Sequence, residues 1–418
     1  MRILHITPHT GGGIGKAISG LIQENNSNIH HDVLFLEKPI ETKYLNSLDH
    51  NQILFAANLD DYDIIQVEFF NNPLIPKFLC SQKFNGRFIF WCHISGLHTP
   101  IIPLFNRTTT FPLFEIVLTS PCSLNKYPNC PVICSAGIPK DFPMISSLKD
   151  RNGHYDLCYL GTLDRTKMHP EYMSIISPIK NYDKIELFVL GGGNDTEYYK
   201  DAVEKLSLTN SVHILGHCKN PESTMLHMDF MVYLLNPFHY GTAENALVEA
   251  MAIGVVPIVL GNPAEMCIVK DKTTGLVMRD ASPESFTDIL DWIIANPTEV
   301  AKIRERCIRV SRLLYNYRET ADQFEYLYSK VMKEPKKTFD FTQIFGNEPH
   351  NWFKSFQEYP DSYHEEDTGS VYNLPYSVSR SGNPCKDAVI FAEGKGSVKN
   401  YARYFPEDKL LREWSSRV

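Results

Sequence analysis

Residues 236–260, NPFHYGTAENALVEAMAIGVVPIVL, hold the densest set of chemically useful side chains in the sequence. The stretch reads as a loop, a helix and then a buried strand, with Glu244 and Glu249 on the helix. A helix start presents unpaired N–H groups and the positive end of its dipole, so it suits a phosphate. A carboxylate further along, Glu249, suits the hydroxyls of a ribose. Taken alone, the pattern equally describes an amphipathic helix with two solvated glutamates, so the segments around it must decide.

Five other constellations surround it. HTGGGIGKA, 9–17, follows an apolar strand and brings Gly12, Gly13 and Gly15 to a strand-to-helix turn, where the backbone can approach a ligand closely. It does not satisfy G-x-G-x-x-G cleanly, with only Glu37 as an acidic partner. Ala17 after Lys16 also rules out the phosphate-loop ending. WCHISGLHTP, 91–100, places His93 and Ser95 just past an apolar strand, with His98 beyond them. His93 there could donate to a sugar or meet an acceptor, against the plainer reading of a structural histidine. YLGTLDRTKMHPE, 159–171, puts Arg165 and Lys167 in a loop after a strand, where two cations can neutralise a diphosphate leaving group. VLGGGND, 189–195, and ILGHCKN, 214–220, are glycine-rich strand ends; the second offers His217 or Lys219 to a nucleobase. Glu265, in PAEMCIVKDKTTGLVM, follows a further strand closely. Asp61-Tyr62-Asp63 matches a D-x-D metal signature but precedes its strand, which assigns it to the opposite sheet edge. No G-x-S-x-G hydrolase pattern and no convincing metal spacing occurs.

The elements that must position these residues are short, apolar and rich in β-branched side chains. RILHIT, HDVLFLE, YDIIQVEFF, RFIFWCHI, EIVLTS and PVICSA read as buried parallel strands, with the helical stretch KAISGLIQE after the first. A second set starts near 154 with YDLCYLG and continues through IELFVLGGG, VHILGH, FMVYLL and VVPIVLG. Strands alternating with helices imply two doubly wound α/β sheets, with ligands expected at the carboxyl ends of the strands. Residues 138–153, with two prolines and no period, read as the linker. Residues 283–333 read as helices. Ser282 is the cap of one of them, and Phe324, Leu327, Tyr328 and Val331 line one face of another. The tail, 334–418, is aromatic and weakly periodic, and reads as an appended segment lying on the main body.

Composition bounds the function. The chain has 418 residues, 43% of them hydrophobic, and a net charge of -8. That size predicts two or more domains, and that charge argues against nucleic-acid binding. A local basic patch touching a membrane stays compatible with it. No apolar run reaches the roughly 18 residues of a membrane span, and MRILHITPH reads as a strand, not a leader, so a cytoplasmic protein is expected. The ten cysteines are scattered through apolar segments (Cys92, Cys158, Cys267, Cys307), and Cys130 and Cys134 lack zinc-knuckle spacing. Structural thiols are expected.

YLGTLDRTK, VLGGGND, VHILGH, ENALVEAMAIGVVPIV and EMCIVKDKTTGLVM occur in the order found in the nucleotide-binding domain of family 4 glycosyltransferases, which this half resembles. HTGGGIG, DIIQVEFF, WCHISG and CSAGIPKDF resemble the looser motifs of the family's first domain, and TADQFEYLYSKVMK its closing helix. The resemblance implies a GT-B fold: two Rossmann-like domains facing a central cleft. It divides the chain into 1–145 (acceptor domain), 154–318 (nucleotide-sugar domain), 319–333 (closing helix) and an extension, 334–418. It also implies a retaining, metal-independent transfer of sugar from a nucleotide-diphosphate sugar to a saccharide or lipid-linked acceptor in surface-polysaccharide assembly, with no cofactor besides that donor. By position, Glu249 would bind ribose, Lys167 and Arg165 the diphosphate, and Asn245 and Ala246 would offer it their amides. His93 would face the donor sugar, and the Gly12–Gly15 turn would border donor and acceptor. Two departures stand out. The family's first glutamate falls on Gly241, with Glu244 three residues further on as either a helix cap or a rearranged sugar contact. The arginine expected after Gly161 is Thr162. His93 and Glu244 are the candidate catalytic residues. Two rivals remain, a sugar-nucleotide epimerase of the same architecture and an inactive sugar-nucleotide-binding subunit.

Overall fold

The computed structural model describes residues 1–9, 11–25, 28–37, 53–145, 154–357 and 394–416. It contains two compact units, one of Met1–Ser135 with Arg318–Val418 and one of Ala136–Tyr317.

The first unit is built on β1 (Arg2–Thr7), β2 (His30–Phe35), β3 (Ile53–Leu54), β4 (Ile64–Phe69), β5 (Phe84–Gly86), β6 (Phe88–Cys92) and β7 (Glu115–Leu118). Six of these form an all-parallel sheet in the order β3-β2-β1-β4-β6-β7. Every residue of β4 and β6 is buried, the signature of strands covered on both faces. One cover is the helix Tyr317–Val331. Its Ala321, Phe324, Leu327, Tyr328 and Val331 pack with Ile3, Ile64, Ile89 and Trp91, as the 3.6-residue spacing requires.

The second unit repeats the design with β8 (Tyr155–Leu160), β9 (Ile185–Leu190), β10 (Val212–Gly216), β11 (Phe230–Tyr233), β12 (Val256–Val259) and β13 (Leu276–Val277). These too are all parallel, in the order β10-β9-β8-β11-β12-β13. In both sheets the strand order reverses beside the first strand, so the switch points lie between β1 and β4 and between β8 and β11. Loops leaving the carboxyl ends there are where this architecture takes ligands. Ser282 caps the helix Pro283–Ala295 by accepting from the Ser285 N–H.

Several expectations need correction. PVICSA forms no strand beyond a single bridge, Leu118 to Val132, because Pro131 brings no N–H to a ladder. Gly12, Gly13 and Gly15 are not a turn before the helix but its first residues, since the helix runs Gly12–Glu24. The first unit ends at Ser135, not 145. The described part of the 138–153 linker is docked on the second unit: Ile138 N–H donates to Tyr315 O, Ile145 N–H to Ile253 O, and Arg312 Nη2 reaches Phe142 O at 2.8 Å. The rest of that linker lies outside the described residues.

The tail is part of the first unit. β14 (Lys337–Phe339) pairs antiparallel with β5, and Phe339 and Phe341 pack edge-on against Phe88 and tilted against Phe114. The helices Pro349–Ser355, Val398–Tyr404 and Lys409–Ser415 follow. They bury Trp352, Phe353, Tyr401, Phe405 and Trp414 together. Tyr401 Oη donates to Asn71 Oδ1 at 3.1 Å, and Asn71 Nδ2 donates to Gly396 O at 3.0 Å, tying this segment to the loop after β4. Tyr404 Oη reaches Glu37, just past β2.

Candidate active site

At the switch point of the second sheet, the loop after β8 and the loop after β11 are laced together. Asn236 N–H donates to Lys167 O at 2.7 Å, Asn236 Nδ2 to Arg165 O at 2.7 Å, and His169 N–H to Leu234 O at 3.0 Å. This lacing brings Lys167 to the start of the helix Asn245–Ile253, where its Nζ lies 3.2 Å from Glu244 Oε2.

Glu244 is not on the helix. It is the residue before it, with φ 41° and ψ 66°, and its side chain caps nothing. The carboxylate turns back into the protein. Tyr233 Oη donates to Oε2 at 2.6 Å, and His239 Nδ1 stands 3.7 Å from Oε1. Burial opposes this charge, but Lys167 and His239 outweigh it and hold the carboxyl below its ordinary range. His239 is buried too: its Nε2 contacts Glu265 Oε2 at 3.1 Å, and Asn262 Nδ2 donates to Glu265 Oε1 at 2.9 Å. Burial disfavours a protonated His239, yet Glu265 and Glu244 raise its pKa. The Gly241 N–H donating to Nδ1 at 3.0 Å works the other way, by using Nδ1 as an acceptor. Lys167, similarly, is raised by Glu244 against its desolvation.

The amides of Leu247 and Val248 both donate to Glu244 O. Those of Asn245 and Ala246, the first two helical residues, make no hydrogen bond among the described residues, and Asn245 Oδ1 is buried without a partner. A helix start with open amides beside a lysine is suited to an anion. Glu249, one turn on, is buried at 4% exposure. Arg165 is engaged elsewhere: its Nε and Nη2 contact Asp195 Oδ1 at 3.0 and 2.9 Å, and its guanidinium lies over Tyr198. His217 is exposed, just past the end of β10.

In the first unit, His93 directly follows β6. Its Nε2 lies 2.7 Å from Glu68 Oε2, on neighbouring β4, and its side chain is 6% exposed. Gly12 is exposed with φ +66°, Gly13 half-buried and Gly15 buried. The preceding Gly11 N–H donates to His9 Nδ1 at 3.1 Å. Asp61 and Asp63 lie at the amino end of β4, and Asp63 Oδ2 accepts from Arg2 N–H.

Tyr233, His239, Asn262, Asp195 and Glu68 were not anticipated as site residues. Tyr233 and Glu68 sit inside runs that read simply as buried strand. A polar side chain in such a strand was the available signal, because a buried polar group must find a partner.

Residues 144–313 match the family model described as Glycosyl transferases group 1. No curated protein matches the chain by sequence. Among solved structures, the chain is similar to Anabaena Alr3699/HepE in complex with UDP-glucose (TM-score 0.59, 14% identity, covering 79% of this chain and 100% of that one). It is similar to a sucrose-phosphate synthase from Thermosynechococcus elongatus (0.58, 15%, 80% and 99%). It is also similar to the apo form of the lipopolysaccharide outer core galactosyltransferase WaaB (0.56, 14%, 79% and 100%). These likenesses establish the fold, two six-stranded parallel sheets of GT-B type, and the family match covers the unit that holds Lys167 and Glu244. The chain is a glycosyltransferase, and its second unit belongs to glycosyl transferases group 1.

Proposed function

We propose that the chain transfers a sugar from a nucleotide-diphosphate sugar to a saccharide or lipid-linked acceptor in surface-polysaccharide assembly, with retention of anomeric configuration and no catalytic metal. The observation that carries the donor assignment is the placement of Lys167 beside the open start of the helix Asn245–Ile253. A lysine and two unspent amides supply fixed positive potential where a diphosphate gains charge as it leaves, which is the work a metal would otherwise do. Glu249 takes the ribose hydroxyls and His217 lies near the base. Arg165 supports the loop through Asp195 and touches the diphosphate only if that pair opens. His93 and the Gly12–Gly15 segment contact the sugar or the acceptor.

Glu244 takes the part of the family's missing glutamate. Its carboxylate is already buried, charged and held on three sides, as a group positioned for a sugar hydroxyl or a developing positive charge should be. The related structure holding UDP-glucose supports the donor class, and the galactosyltransferase supports the acceptor class. The test is transfer from a panel of UDP-, GDP- and ADP-sugars to lipid-linked and free saccharides. Transfer from at least one donor, abolished in Lys167→Ala, supports the reading. Nucleotide binding with no turnover across the panel favours a binding subunit, and donor rearrangement without acceptor an epimerase.

A further inference from the structure

The first sheet encloses a chain of hydrogen bonds that the transfer reaction as proposed does not use. Glu68 is fully buried in β4, and its two oxygens are shared between a histidine on one flanking strand, β1, and a histidine just past the other, β6. His5 Nδ1, on β1, lies 2.9 Å from Oε1, and His93 Nε2 lies 2.7 Å from Oε2. Gln66 Nε2 donates to Oε1 at 3.0 Å, and Tyr328 Oη donates to Gln66 Oε1 at 2.6 Å. Beyond His5 the chain continues from Nε2 to His31 Nδ1 at 2.8 Å, and from His31 Nε2 to the Asn25 amide nitrogen.

The Glu68 carboxylate fixes the direction of the links, because it can only accept. His5 Nδ1 and His93 Nε2 therefore each carry a proton towards it. His5 Nε2 is then left to accept from His31 Nδ1–H, and His31 Nε2 to accept from the Asn25 amide. Burial, with His5 and His30 nearby, holds the His31 pKa well below its ordinary value, which keeps that ring neutral. Glu68 therefore receives protons from His5, Gln66 and His93 and gives none. Burial disfavours its charge, but the two histidine hydrogen bonds prevail and its pKa is lowered.

We infer that Glu68 is a positioning residue for His93: it holds the Nε2–H of that ring and leaves Nδ1 as the nitrogen presented at the carboxyl end of the first sheet. His93 Nδ1 makes no hydrogen bond among the described residues. The ring orientation is secured from the other side by Trp91, at 4.8 Å between centroids. His5 and His31 spend both ring nitrogens inside the chain of hydrogen bonds, which leaves His93 Nδ1 as its ring nitrogen open to a substrate. Neutral, it accepts a substrate O–H; protonated, it is an imidazolium stabilised by the Glu68 anion behind it. The relation is that of a buried carboxylate orienting a histidine. That Nδ1 meets a hydroxyl of the transferred sugar or the acceptor rests on the function proposed above; the tautomer does not.

The test is a nitrogen-15 spectrum of the full chain with labelled histidine, the His93 signals being those lost in His93→Gln. The expected result is a neutral His93 ring that carries its proton on Nε2 and leaves Nδ1 bare. A ring protonated on Nδ1 with Nε2 bare at high pH overturns the inference, whether or not the protein transfers sugar. It needs no variant of Glu68 to fold. Where Glu68→Gln folds, its single oxygen cannot serve both His5 and His93. The Nε2–H preference should weaken, and Glu68→Asp should restore it towards the wild type. The titratable groups that face this network are His5, His30, His31, Glu68 and Tyr328, and none of the other four takes over the role of Glu68. An unchanged tautomer in a folded Glu68→Gln protein would also overturn the inference.

Discussion

Gly241 and Glu244 occupy each other's space: a Cβ built on Gly241 would overlap Glu244 Oε1 and press on His239 Nδ1. The glycine is therefore not simply a lost glutamate. Its missing side chain is what lets the Glu244 carboxylate fold back to Tyr233 and Lys167. Gly241→Ala should displace that carboxylate and cost roughly 1–3 kcal/mol, as overpacking at a tight contact does. The double variant Gly241→Glu with Glu244→Gly should recover more than the two single changes sum to. It returns a carboxylate to the same pocket, and glycine suits the left-handed backbone at 244. Thermal unfolding and donor kinetics on the four proteins of this cycle check it. Strict additivity would mean that the two positions do not share the pocket.

Lys167→Met removes the ammonium that compensates Glu244. Lys167 is 26% exposed, so the expected loss is about 2–3 kcal/mol, below the 3–5 of a fully buried pair. Glu244 is lowered from 4.5 in the folded protein. Its stabilisation is thus complete above that value and is lost as pH falls below it. Urea unfolding from pH 7 to 3.5 should show a wild-type decline below about 4.5 that is blunted in Lys167→Met. A parallel pair of curves would count against the charge pairing.

Two histidines should make both units acid-sensitive at higher pH. His9 is brought to about 4, by burial and then by Lys395, and His169 to about 4, mainly by burial. Between the ordinary value of 6.5 and 4, the unfolded chain takes up protons that the folded chain refuses. Stability is therefore present above 6.5 and falls as pH drops to 4, on the order of 2–3 kcal/mol for each group. His9→Asn and His169→Asn should each flatten this slope, as followed by denaturant unfolding at stepped pH.

Removing residues 394–418 should destabilise the first unit. The cut exposes Trp352 and Phe353, deletes Tyr401 from its bond to Asn71, and uncovers Glu37 beside β2. Tyr401→Ala alone should cost about 3–5 kcal/mol, as for a large buried aromatic. Limited proteolysis should then nick the first unit while the second, Ala136–Tyr317, stays protected.

Much of this fold is written in local sequence. Strands such as DIIQVEFF and FMVYLL are apolar because both faces are covered, and the Phe324, Leu327, Tyr328 and Val331 spacing matches its buried stripe. β3 and β13, two residues each, are too short to carry any period. The tail helices, of seven residues or fewer, show little periodicity for the same reason. Lys167 and Glu244 were readable as candidates because a cation and a carboxylate at strand ends suit a sugar nucleotide. Their pairing was not readable, since it depends on Asn236 lacing two distant loops. Nor was the capture of Arg165 by Asp195. Gln66 and Glu68, alternating in a buried strand, did carry a legible signal: two polar side chains on one covered face must find partners, and His5, His93 and Tyr328 are those partners.

The most direct measurement is titration of the purified full chain with UDP, GDP and ADP and their sugars, followed by thermal shift and calorimetry, in wild type and Lys167→Ala. The account predicts that at least one nucleoside diphosphate raises the melting temperature, and that Lys167→Ala weakens its binding at least about tenfold, a change of roughly 1.4 kcal/mol. Absence of binding across the panel, or equal binding by Lys167→Ala, would contradict it.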